Sequence, residues 1–125
     1  MLKLKNLIFT SLLILATANC FGETLIDLNK KHFEIIRGSE QSFDYDLKAS
    51  NFLVFDVNLA SNCAPNGFSD VSDMYYEISA EGKVSNIWFF PEITESKCIT
   101  NRMKSVIFPK PPKTHIGLEN IQNGD

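Results

Sequence analysis

The chain has 125 residues, of which 44% are hydrophobic, and its 12 basic and 15 acidic side chains give a formal charge of −3. That is material for one domain and too little for two. The acidic balance argues against nucleic acid or anionic lipid as a partner, because both require a basic face.

The first eighteen residues, MLKLKNLIFTSLLILATA, read as a secretory signal. Lys3 and Lys5 form the positive start, Leu7 to Leu15 the apolar core, and Ala16-Thr17-Ala18 the small-x-small cleavage pattern. The apolar run is shorter than the ~20 residues of a membrane span, so a retained anchor is the weaker alternative. A second alternative is a lipid anchor on Cys20, although Thr17-Ala18-Asn19 before it make a poor acylation signal. Cleavage after Ala18 predicts a periplasmic or secreted protein with ten basic and fifteen acidic residues. Its formal charge is −5. No later segment approaches membrane-spanning length, so no membrane insertion is expected after cleavage.

Export changes how cysteines are read, since paired thiols in a small exported domain point to a disulfide rather than to metal. Residues 19–23 are expected to be a flexible mature N-terminus. Cys20 falls there, which leaves Cys63–Cys98 as the natural pair. The competing states are three free thiols, or Cys20 taking one of the others.

The single domain is placed at residues 24–115. TLIDLNKKHFEIIR spaces Leu25, Leu28, His32 and Ile35 or Ile36 at helical intervals, with Thr24 as cap and Gly38 as stop. From Ser39 to Ser50, Phe43, Tyr45 and Leu47 alternate with Asp44, Asp46 and Lys48, which predicts a strand. NFLVFDVNLA continues as a β-prone run, and SNCAPNGFSDVSD has the composition of a loop. DMYYEIS and KVSNIWFF then predict a hairpin closed by Ala80-Glu81-Gly82, with Gly82 at positive φ. Met74, Tyr76 and Ile78 share one face with Ile87 and Phe89, and a bulge between Val84 and Ile87 brings Val84 into step. Trp88 and Phe90 point to the other face, so cover is expected on both.

Thr94 is the expected cap of a following helix, whose stripe is Ile99, Met103 and Val106, with Cys98 beside it. Pro109 ends that helix and turns Phe108 inward. Residues 116–125 read as a tail or a weak terminal strand.

Ile78, Glu81-Gly82-Lys83-Val84, Cys98, Arg102, Phe108-Pro109 and Pro111 occur in an order that resembles the TonB C-terminal-like domain, in its gliding-motility AgmX/PglI form. The likeness runs from Met74 to Lys113. It implies a small α+β fold, an antiparallel sheet of about three strands packed with two helices. It also implies a non-catalytic protein-contact module outside the inner membrane. Two departures stand out: the family carries a cysteine in its first helix, where this chain has none, and it ends in a strand after the proline motif, where this chain has only the weakly strand-like THIGLENIQNGD.

Little in the sequence points to catalysis. His32 and His115 lie far apart, and zinc would need one of them to meet Cys63 and Cys98. They read as one helix-surface and one tail histidine. A Cys98–His115 nucleophile is the only thiol pair to name, and a disulfide abolishes it. Asp70 and Asp73 read as a solvated turn, and PKPP at 109–112 as a rigid exit rather than a PxxP ligand.

The expectation is an exported non-enzymatic interaction module with no cofactor and no metal, whose protein partner is unknown, with homo-oligomerisation left open. Contact is expected along a sheet edge or across Trp88 and Phe90. The alternative is a small secreted inhibitor or effector acting through the 61–73 loop.

Overall fold

The computed structural model describes residues 23–122. The signal at 1–18, the flexible start as far as residue 22, lipidation of Cys20 and the end of the chain lie outside the described residues. Eight elements follow in order: α1 (Leu25–Gly38), α2 (Glu40–Phe52), a π-helical turn (Leu53–Val57), α3 (Leu59–Cys63), β1 (Ser72–Ile78), β2 (Val84–Phe90), α4 (Ser96–Lys104) and β3 (His115–Ile121). The fold is α+β as expected, and the described residues hold four α-helices where two were expected. Among the described residues, no helix is long and apolar enough to cross a membrane.

The hairpin forms as predicted. Ser79 to Lys83 join its strands, and Gly82 sits at φ +88°. The register passes from Glu77↔Asn86 to Ile78↔Val84, so Ser85 is the extra residue of the bulge. β3 pairs antiparallel with the whole of β1, from Ile78↔His115 to Ser72↔Ile121. The strand order is therefore β2-β1-β3, and of the two readings of the C-terminal segment, the strand is the one formed.

Residues paired directly across strands share a face. Met74, Tyr76, Ile78, Val84 and Phe89 join Tyr45, Ala49, Leu53, Val57, Ile99 and Met103 in the main core. On the other face Tyr75 and Ile116 pack with Leu28 of α1, and Trp88, Phe90 and Leu118 flank them. The sheet is thus covered on both sides, α1 on one and α2 to α4 on the other.

Two predicted strands are helical. Over 40–52 the buried residues are Ser42, Tyr45 and Ala49, a helical spacing that continues to Leu53 and Val57. The alternation of Phe43 and Leu47 with acidic residues is misleading, because both remain half exposed. Ser39 is the local signal for this helix: its hydroxyl accepts from the Ser42 N–H at 3.0 Å, directly after α1 stops at Gly38. α1 itself starts with the reciprocal cap of Thr24 and Asp27. α4 begins one residue later than its expected cap implies. Glu95 rather than Thr94 precedes its first turn, and the Ser96 hydroxyl receives the Ile93 N–H at 2.9 Å.

Phe108, turned inward before Pro109, is buried, and its N–H donates to the Gly82 carbonyl at 2.8 Å. Lys83 and Ile107 form an isolated bridge beside it. The proline exit from α4 therefore clamps the hairpin loop, and Tyr45 Oη donates to the Pro109 carbonyl at 2.6 Å from the other side.

Candidate interaction site

β3 is an edge strand, and the face helices leave part of that edge open. His32, on the buried face of α1, places Nδ1 2.7 Å from the Ile116 carbonyl, so the ring nitrogen donates to it. In an antiparallel strand the N–H and C=O of one residue point the same way, and the direction repeats every second residue. Leu118 and Asn120 therefore direct their backbone groups outward with Ile116. Among the described residues no hydrogen bond reaches them.

Beside the C-terminal half of this edge lies a cleft of ≈ 240 Å³. Leu53, Val54, Leu59, Phe68 and Ile121 form its apolar walls, with Asn58 and Glu119 at its polar margin. Local backbone chemistry builds the wall opposite β3. The π-helical turn ends at Asn58, which takes the left-handed conformation (φ 51°, ψ 64°) and caps α3 through its side chain. The Val57 carbonyl, freed by that reversal, accepts from Asn62 Nδ2 at 3.1 Å and Arg102 Nε at 3.0 Å. π-helical turns and left-handed non-glycine residues concentrate at functional sites. Val54, which lines the cleft, is exposed, as is its neighbour Phe55.

The face of β3 toward α2 carries His115, Gly117 and Glu119 in sequence. His115 is buried, with Nε2 2.7 Å from Asp46 Oδ1 and the Tyr45 ring edge-on at 4.9 Å. Gly117 lies under Tyr76, where a Cβ would come 2.4 Å from the ring. Burial pushes the Glu119 carboxyl above the ordinary carboxylate range, and the charge of Asp46 pushes it further. Burial likewise holds the Tyr76 hydroxyl neutral and raises that of Tyr45 to about 12.

The sequence-predicted residues fall into place unevenly. Cys63 and Cys98 are joined as a disulfide across α3 and α4, which takes both thiols away from a Cys98–His115 nucleophile or a zinc site. Trp88 and Phe90 are half buried against the second core cluster, Phe90 edge-on to Tyr75. The 61–73 loop is held down by Cys63, by Phe68 against the core, and by the Ser69 N–H donating to Glu95 Oε1 at 2.6 Å. Asp70 accepts from the Val71 N–H, while Asp73 lies within β1. Both histidines are buried partners of other elements, which corrects the surface and tail readings.

Sequence reasoning missed Asp46, Asn58 and Glu119 altogether. A usable signal was the alternation of His115, Gly117 and Glu119 with Ile116 and Leu118. Gly117 and the polar neighbours weakened it. No protein-family model, curated protein or solved structure matches the chain.

Proposed function

We propose that the chain is an exported, non-enzymatic protein-interaction module of TonB C-terminal-like type, which captures its partner as an added strand along β3. The observation that carries this reading is the outward backbone of Leu118 and Asn120, set next to an apolar cleft on the strand that closes the sheet. Strand addition draws affinity from such edge groups and specificity from neighbouring side-chain pockets.

Three further features support it. A hairpin, a helix, the proline motif and a terminal strand follow one another in the order the family resemblance implies, so one of its two departures falls away. The Cys63–Cys98 bridge suits an oxidising compartment, in line with the leader-like start of the sequence. The exposed Val54 in the cleft gives an incoming chain apolar surface beyond the backbone ladder.

A proline at Leu118 or Asn120 removes an outward N–H without removing a bond to β1. Tagged wild-type protein and these variants would be mixed with a periplasmic extract of the source cells, and retained proteins compared. Loss of the retained partner in both edge variants, with the native circular dichroism preserved, is the expected result. An Ile87→Pro variant, which likewise removes an outward N–H but on the β2 edge, should retain it. Equal capture by the β3 and β2 variants would rule out pairing at β3.

A further inference from the structure

We propose that the cleft beside β3 seats one cationic side chain, an arginine or lysine, of the peptide strand paired to that edge. The inference rests on the edge-pairing function above and names the chemistry of its partner.

Size comes first. At ≈ 240 Å³ the cleft falls below the roughly 300–1,000 Å³ of small-molecule sites, and suits a single long side chain. Position agrees with this. A strand paired through Leu118 and Asn120 places every second side chain on the Glu119 face, where cross-strand neighbours touch.

Charge then selects the kind of side chain. Among the described residues, Glu119 is the one ionisable group lining the cleft, and no lysine, arginine or histidine lines it. His115, the basic group on the same face, is already bonded to Asp46 at 2.7 Å. Two carboxylates thus lie on this side of the sheet with one engaged basic group. A leucine or phenylalanine in the cleft would strip more water from Glu119 and offer nothing in return. A lysine or arginine lays its methylenes along Leu53, Leu59, Phe68 and Ile121 and brings its head to the carboxylate. Arginine suits the site better, because its planar fork can meet both carboxylate oxygens.

The test uses end-blocked, fluorescein-labelled heptapeptides Thr-Val-Thr-X-Thr-Val-Thr, with X as arginine, lysine, leucine or glutamate, titrated with the purified chain and read by anisotropy. The arginine and lysine peptides should bind about tenfold or more tighter than the leucine peptide, as a charge-assisted contact implies. Glutamate should be weakest, and added salt should narrow the spread. In Glu119→Gln the arginine preference should shrink to within about twofold of leucine while leucine binding is kept. N-methylated arginine peptides, unable to pair, should not bind.

If leucine equals arginine in the wild type while N-methylation abolishes binding, edge pairing stands and the cation seat is overturned. An arginine preference that survives both Glu119→Gln and high salt overturns the seat as well. Binding by no peptide, or binding indifferent to N-methylation, overturns edge pairing and the seat together.

Discussion

His115 Nε2 lies 2.7 Å from Asp46 Oδ1 and ties the first residue of β3 to the middle of α2. The two partners are not equivalent: the His115 side chain is 1% exposed and that of Asp46 26%. Removing Asp46 leaves a buried ring nitrogen without its acceptor, which costs about 1–3 kcal/mol. Removing His115 in favour of phenylalanine leaves a carboxylate that water can reach. Urea unfolding should therefore show Asp46→Ala losing more stability than His115→Phe. The reverse order would mean that the pair does not anchor β3.

Gly82 stands at φ +88°, and a Cβ there would come 2.2 Å from the Phe108 carbonyl oxygen. Both the backbone conformation and the close approach require glycine. Gly82→Ala should destabilise by more than about 1 kcal/mol, because the Phe108 N–H bond to Gly82 must shift with it. Ala80→Gly, in the same loop but exposed, should change the unfolding midpoint little. Equal effects would show that Phe108 does not hold the loop.

The clamp by Phe108 was legible in part, since Phe-Pro after a helix and glycine in a hairpin are local signals with local causes. The hairpin and its bulge were legible for the same reason, and the disulfide was legible from the cysteine count of a chain read as exported. Residues 39–57 were not. Their pattern fits period two nearly as well as a helical period, and the choice between them is made by tertiary partners. As a helix, Tyr45 reaches the Pro109 carbonyl and Asp46 reaches His115, across 64 and 69 residues of sequence. No window of a dozen residues contains that information. The cleft shares the difficulty, because Leu53, Phe68 and Ile121 meet only when β3 closes the sheet. Asn58 could have hinted at a reversal, since asparagine tolerates the left-handed region.

Cys63 and Cys98 close a loop of 35 residues that contains the whole hairpin. Chain-entropy arguments assign about 3–4 kcal/mol to a closure of that length, a large share of a small domain's stability. The double variant Cys63→Ala/Cys98→Ala should thus lower the unfolding free energy by about that amount. Dithiothreitol should then destabilise the wild type and leave the variant unchanged. If the wild type too is indifferent to reductant, the bond contributes no stability.

Glu119 gives the pH dependence that bears on the cleft. Its folded pKa is raised above the ordinary 4.5, first by burial and then by Asp46. A carboxyl shifted upward holds its proton more tightly in the native state than in the unfolded one. Its favourable contribution is therefore complete below the unfolded value, and is lost as pH rises through the folded one. Glu119→Gln removes the titration, so its melting temperature should gain on that of the wild type as pH rises from about 4 to about 7. Other carboxylates titrate in both proteins and largely cancel in the difference, Asp46 being the neighbour whose coupling remains. A Tm difference that stays flat over this range would mean that Glu119 is solvated like any surface acid. The cleft would then lack the desolvated charge that selects a cation.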